Sequence, residues 1–61
     1  MAASVYRLSE FDEDGNVASE TFPAPNDDVA LDRVLEVSSA DVLELWRGAQ
    51  LVARVDRRPL G

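Results

Sequence analysis

The sequence predicts an α+β domain: two β-hairpins joined by one amphipathic helix, forming a four-stranded antiparallel sheet with the helix packed on one face (ββαββ). Residues 5–22 and 42–56 are each rich in β-branched and aromatic types around a glycine-containing turn, which is typical of hairpins. The segment between them repeats apolar residues at spacings of three and four, which is typical of a helix. A length of 61 residues allows one such domain, assigned to residues 1–56, with a flexible tail over 57–61.

The first hairpin consists of strands 5–11 and 17–22, separated by the acidic sequence of residues 12–16. Gly15 can adopt a positive φ there, and the Asp and Asn side chains can accept hydrogen bonds from nearby amides. These residues therefore predict a solvated turn.

The alternation of apolar residues along the first strand is imperfect. Tyr6 and Leu8 fall on one face of a regular strand, whereas Phe11 falls on the other. A β-bulge near Ser9 or Glu10 would bring the three side chains to the same face. We therefore expect one irregular residue in this hairpin.

The helix follows residues 23–25, Pro-Ala-Pro, which remove two backbone donors and favour an extended connection that ends the second strand. Asn26 or Asp27 is predicted to cap the helix, since both side chains accept bonds from first-turn amides. The helix should end near Ser38 or Ser39. Its predicted buried stripe is Ala30, Leu31, Val34, Leu35 and either Val37 or Ser38.

The second hairpin, with strands 42–47 and 51–56, permits two registers. In the first, a two-residue loop at 48–49 places glycine where a type II′ turn prefers it. This register pairs Trp46 with Leu51, and Glu44 falls opposite an alanine. Trp46 would then share a face with apolar residues of the last strand and belong to the core.

The alternative register has a three-residue loop at 48–50. It pairs Trp46 with Val52 and Glu44 with Arg54, which matches an acid with a base across the strands. Trp46 would then lie on a partly wet face, beside charged residues. The opposite face would be apolar and would consist of Leu43, Leu45, Ala53 and Val55.

The order of elements carries a resemblance to known sequences. Tyr-Arg-Leu begins the first strand, Asp-Glu-Asp-Gly-Asn forms its turn, Ala-Pro-Asn-Asp-Asp precedes the helix, and Glu-Leu-Trp-Arg-Gly-Ala-Gln-Leu-Val-Ala-Arg closes the domain. Over residues 5–55 the chain resembles a group of small uncharacterised bacterial proteins of ββαββ architecture. The resemblance implies a fold and no activity.

Composition excludes several functions. The chain has no cysteine and no histidine, so thiolate chemistry and the commonest general base and metal ligand are absent. A cysteine-free chain without an apolar membrane-spanning segment predicts a cytoplasmic protein. The net charge is −6, with eleven acids and two arginines in residues 1–45, so nucleic-acid binding is not expected.

The carboxylates do not form a recognisable catalytic or metal site. A calcium-loop match beginning at Asp12 fails, because Val17 occupies the position that needs glycine and Pro23 the position that needs glutamate. Pairs such as Asp27 with Asp28 fall on predicted surface positions, where a carboxylate stays hydrated, whereas catalysis needs a desolvated or strongly coupled one. We therefore predict a non-enzymatic protein with no cofactor and no metal.

The remaining prediction is that the protein acts as an interaction module. One helix can cover one face of four strands, and a core of this size contributes only about 3–5 kcal/mol, so we expect self-association, as a dimer, through the open sheet face or an edge strand. The predicted interface is Trp46, Val52, Glu44 and Arg54. The alternative is an acidic inhibitor or nucleic-acid mimic, which would bind a basic groove through Asp27, Asp28, Asp32 and Glu36.

Overall fold

The computed structural model describes residues 3–58 and contains one sheet and one helix. The strands form a single antiparallel sheet in the order β2-β1-β3-β4, and the helix packs on one of its faces. The predicted α+β class is therefore confirmed. The elements are β1 (Ser4–Phe11), β2 (Val17–Ala24), α1 (Asp27–Val37), β3 (Val42–Arg47) and β4 (Gln50–Asp56). Residues 1–2 and 59–61, including most of the predicted tail, lie outside the described part of the chain.

The core lies between the helix and one face of the sheet, called here the helix face. Its side chains come from alternate residues of the two central strands and from the helix residues that face them. Leu8 of β1 lies directly opposite Leu45 of β3, so the two hairpins share one core. The buried cluster is Tyr6, Leu8, Ala24, Ala30, Val34, Leu43 and Leu45.

The first hairpin is regular, and the predicted bulge near Ser9 or Glu10 is wrong. The β1–β2 register runs without a shift from Ser4 opposite Ala24 to Phe11 opposite Val17. Phe11 therefore lies on the face opposite Tyr6 and Leu8. The helix-face position next to it belongs to Glu10, which accepts a hydrogen bond from Ser38 at the C-terminus of the helix.

The second strand continues through Pro23 to Ala24, which corrects the prediction that the prolines end it. Asp12 N donates to Asn16 O at 3.2 Å, and ladder bonding alternates along an antiparallel pair. The odd-numbered residues of β2 therefore direct their backbone N–H and C=O groups away from β1. Because position 23 is one of these, proline removes no bond to β1.

The helix begins and ends where its capping residues predict. Asn26 Oδ1 accepts a 2.9 Å bond from Val29 N, and Ser38 N donates to Val34 O at 3.0 Å. The buried stripe is narrower than expected, because Leu35 and Val37 are exposed, and of the two alternatives at its end Ser38 is the buried one. Within residues 3–58, no helix is both long enough and apolar enough to cross a membrane.

Side chains from the sheet hold the N-terminus of the helix. Tyr6 donates to Asp27 Oδ1 at 2.5 Å, and the guanidinium of Arg47 reaches the same oxygen at 2.7 Å. The bond to the Asp27 carboxylate raises the pKa of Tyr6. Asp27 is also in the first helical turn, where the dipole favours a negative charge. This carboxylate therefore joins β1, β3 and α1.

The C-terminus of the helix is held by the segment that follows β4. The last turn contains no basic residue. Arg57 supplies the missing cation, donating to Ser38 O at 2.6 Å and to Leu35 O at 3.1 Å, while its amide donates to Asp41 O at 2.7 Å. Ser38 also donates to Glu10 Oε2 at 2.6 Å. Arg57, which the sequence places in a flexible tail, is thus attached to the helix.

The second hairpin combines the two registers that the sequence allows. Its tip has the two-residue loop, with Trp46 opposite Leu51, and Gly48 has a φ of +60° while Ala49 has no positive φ, as in a type II′ turn. Below the tip, Glu44 lies opposite Arg54, as in the three-residue alternative. Val52 is the extra residue between the two registers and forms a β-bulge.

Candidate interaction surface

The sheet face opposite the helix, called here the open face, is uncovered in the described chain. Apolar side chains remain accessible there: Val5 is 63% exposed and Val17 is 59% exposed. Leu51, at the tip of the second hairpin, is 43% exposed and lies opposite the half-buried Trp46. Such side chains gain free energy when a partner removes them from water. The open face is therefore the first candidate for a contact surface.

Trp46 on this face is framed by polar groups of its own chain. The guanidinium carbon of Arg7 lies 5.6 Å from the centre of the indole ring, within cation–π range. The indole Nε1 donates to Glu44 Oε1 at 3.2 Å. The ring is thus oriented before any partner binds, which lowers the entropy that an interface residue loses on association.

The structure brings together three of the four predicted interface residues. Glu44 accepts from Trp46 and lies 3.7 Å from Arg54 Nε through its other carboxylate oxygen. Val52 is separate from them, because the bulge displaces it and it packs against the core cluster. Leu51 takes the place beside Trp46. The sequence signal for Leu51 is the glycine at the turn, which favours the register that pairs it with the tryptophan.

The outer edge of β2 is a second candidate surface. Val17, Ser19 and Thr21 direct their backbone donors and acceptors away from β1, as the alternation described above requires. The strand is eight residues long and free of bulges, and Glu20 is its only charged residue. Native edges are commonly blocked by lysine, bulges or proline, and β2 has only a proline near one end.

The outer edge of β4 differs from that of β2. It contains the bulge at Val52, which interrupts a regular row of backbone groups. Farther along, Arg58 turns back to Asp56, donating to Oδ2 at 2.7 Å and through its amide to Oδ1 at 3.0 Å. These bonds hold the pKa of Asp56 well below its usual range. A new strand would encounter both the bulge and this ion pair, so β4 is a protected edge.

An open depression of about 300 Å³ lies where the turn of the first hairpin approaches the end of β4. Its lining is net acidic: Arg54 faces Glu44 and Arg58 binds Asp56, while Asp12, Glu13 and Asp41 also line it. Asp12 accepts backbone bonds from Asn16 and from the next amides of its own turn, which lower the pKa of Asp12. A carboxylate with a depressed pKa is a poor proton carrier at neutral pH, so Asp12 is unsuited to general acid or base chemistry.

The exposed side of α1 carries Asp28, Asp32 and Glu36, called here the acidic ridge. The spacing of four places successive carboxylates about 6 Å apart along the helix axis. Like charges at this spacing destabilise a helix slightly, although Asp28 is also favoured by the dipole in the first turn. Asp27, predicted to act with them, instead points to Tyr6 and Arg47.

Comparisons with protein-family models, with curated proteins and with solved structures gave no match to this chain. The ββαββ order that carries the resemblance to small bacterial proteins is present in the structure. Membership of that group stays a prediction. The fold and its surfaces define a small α+β domain with one uncovered sheet face, one open edge and one protected edge.

Proposed function

We propose that this protein is a non-enzymatic interaction module that associates with a second copy of itself through the part of its sheet that the helix leaves uncovered. The observation that carries this proposal is the open face, where exposed Val5, Val17 and Leu51 accompany an oriented Trp46. The face also carries Arg7 and both members of a Glu–Arg pair. Because charges of both signs are present, two identical faces can oppose one another without net repulsion.

The described residues also support a non-enzymatic role. The carboxylates of the turn and of the end of β4 are held in the ionised form by hydrogen bonds. Among residues 3–58, no three acidic residues approach one another closely enough to hold a metal ion. A cytoplasmic location belongs to the proposal, since the absence of cysteine fits a reducing compartment.

The first test is to compare assembly with folding in a Trp46→Ala variant. We expect the variant to weaken self-association at least about tenfold, because it removes the largest side chain of the open face. Its stability should change less, since Trp46 is only half-buried. Sedimentation equilibrium across micromolar concentrations measures the first quantity, and urea unfolding followed by far-UV circular dichroism measures the second.

A matched control is Val37→Ala, which removes an exposed aliphatic side chain from the helix and not from the sheet. This control should sediment as the wild type does. A wild-type protein that stays monomeric at tens of micromolar would contradict the proposed function, and so would a Trp46→Ala variant that assembles as strongly as the wild type.

The acidic ridge favours a second candidate, an acidic inhibitor that occupies a basic groove of another protein. Asp28, Asp32 and Glu36 form a row of carboxylates whose mutual repulsion lowers helix stability, and only Asp28 lies in the first turn, where the dipole favours a negative charge. Binding of this kind would weaken steeply as salt increases, whereas association through apolar side chains would not. Repeating the sedimentation measurements at low and high salt, with and without a basic partner protein, separates the two candidates.

A further inference from the structure

We propose that two copies of the chain pair through the outer edge of β2, antiparallel to each other, with Ser19 on the two-fold axis. This pairing would join both four-stranded sheets into one continuous sheet. It rests on the self-association in the proposed function and adds a second contact to it, distinct from the one through Trp46, because Trp46 lies on β3, two strands from β2 in the sheet.

The backbone geometry of β2 supplies the unpaired groups. Its outward-directed residues are Val17, Ser19 and Thr21, each with a free donor and a free acceptor on the edge. Pro23 is the next outward position and has no N–H, so the row of donors ends there. A second β2 in the antiparallel direction would form about six backbone hydrogen bonds with these three residues.

The position of Ser19 on the axis follows from the sequence of the strand. A dimer centred on Ser19 uses all three outward residues, pairing Val17 of each copy with Thr21 of the other. Centring on Glu20 would place two carboxylates opposite each other and would use Pro23, which cannot donate. Centring on Ala18 would pair Val17 with Ser19 and bring Thr21 opposite the turn. Only the register centred on Ser19 pairs all three outward-directed residues with residues that can both donate and accept a backbone hydrogen bond.

The same register brings together apolar side chains that are scattered in one copy. Val17 lies on the open face, opposite Thr21 of the second copy and diagonal to Pro23 of that copy. Pro23 pairs with Val5 within its own chain. Val17 of one copy and Val5 of the other, the two most exposed valines of the open face, would thus extend a single apolar stripe across the axis.

The choice of β2 over β4 follows from the protection of the second edge. β4 has the Val52 bulge and the Arg58–Asp56 pair, whereas β2 has neither feature. An unblocked edge exposes backbone groups that readily pair with another strand. The outer edge of β2 is therefore the edge that pairs with a second copy.

A disulfide cross-link tests the register, because the natural chain contains no cysteine. In the proposed dimer the two copies of position 19 are opposite each other, about 5.5 Å apart at their Cα atoms, within the range for a disulfide. The two copies of position 21 are about 14 Å apart, from four residues along the strand and one spacing between strands. A Ser19→Cys variant should therefore form disulfide-linked dimers at least about tenfold faster than a Thr21→Cys variant under the same mild oxidation.

The two variants are closely matched, since both positions are exposed on β2 and face the same side of the sheet. Equal rates of cross-linking, or faster linking of Thr21→Cys, would overturn the register. If the wild type assembles while the Ser19→Cys variant stays unlinked, the edge pairing is overturned and the proposed function stands. If the wild type is monomeric in sedimentation, both fail.

Discussion

The two hairpins share one core but differ in how they end and how they meet solvent. The first has a five-residue turn, a regular ladder and an outer edge free of bulges. The second has a two-residue turn, a bulge at Val52 and an edge closed by an ion pair. A wide turn leaves the strand register free to follow the apolar pattern. A tight turn fixes the register at the tip, and the chain then needs an extra residue to restore the pattern.

This difference has a consequence for association. The bulge in the second hairpin adjusts the register set by the tight turn to the apolar pattern of the strands. The same bulge also interrupts the outer edge of β4, so one local irregularity has two effects. The first hairpin needed no such correction and kept an unbroken edge. The side of the sheet that folds more simply is therefore the side that remains available to a second strand.

The largest expected effect concerns the core that both hairpins share. Leu8→Ala and Leu45→Ala remove facing side chains that are at most 1% exposed, one from each hairpin. Each should lower the free energy of unfolding by about 2–5 kcal/mol, comparable with the whole stability of so small a domain. Urea unfolding followed by Trp46 fluorescence measures the loss. Leu51→Ala, at an exposed position, should cost less than about 1 kcal/mol.

One contrary result is that the two leucine variants lose very different amounts of unfolding free energy, and another is that only one hairpin loses its amide protection in hydrogen exchange. Either result would show that the hairpins do not depend on a common core. Equal losses would confirm that the contrast between them is confined to their turns and edges. The double variant should lose less than the sum of the single losses, since the side chains are in register and share one cavity.

A smaller effect is expected at the two turn glycines, which both have positive φ. Gly48→Ala should cost about 1–2 kcal/mol, because a two-residue turn fixes φ at +60° and leaves no alternative. Gly15→Ala should cost less, since a five-residue turn can redistribute its dihedral angles. Thermal unfolding compares the two, with Asn at each position as the control that tolerates positive φ. A larger loss at Gly15 would refute the view that the wider turn is more adaptable.

The smallest effect is on the pH dependence of stability. Hydrogen bonds lower the pKa of Asp12 in the first hairpin and that of Asp56 in the second, in each case below the usual 3.8. A group whose pKa is lower in the folded state stabilises the fold above its unfolded-state pKa and loses this contribution as the pH falls. Stability should therefore decline as pH drops below about 4.

Asp12→Asn and Asp56→Asn separate the two contributions, since each removes one titrating carboxylate. Urea unfolding between pH 2 and 6 should give a shallower acid decline for each variant than for the wild type. The decline should extend to lower pH in the second hairpin, because the bonds with Arg58 depress the pKa of Asp56 strongly. An unchanged profile in both variants would show that neither carboxylate contributes.

The features that the sequence predicts correctly are those governed by neighbouring residues. Gly15 lies in the predicted turn, Asn26 caps the helix as its side chain suggests, and the strands are recognisable from their composition. The order of strands in the sheet depends on contacts between residues that are distant in sequence, so no local sequence pattern predicts it. Arg57 shows the same limit, because its partners are carbonyls about twenty residues away.

The errors came from applying a local rule without its surroundings. The bulge predicted from Phe11 requires this aromatic residue to face the helix, yet the unshifted register places it on the open face. The sequence predicts that Pro23 ends a strand, yet its nitrogen faces away from β1 and interrupts no ladder. In the second hairpin each of two plausible registers was correct over part of its length. A bulge was needed to reconcile them, and the interface prediction placed Val52 where Leu51 lies.

The bulge at Val52 also makes this point of the chain tolerant of a change in length. Deleting an ordinary residue from a strand turns every following side chain to the opposite face. Deleting Val52 would leave Leu51 opposite Trp46 and Ala53 opposite Leu45, so both faces would keep their residues. Shortening this strand by one residue would therefore keep the pairing of the second hairpin, at the loss of the contact between Val52 and the core cluster and of the bulge that interrupts the edge.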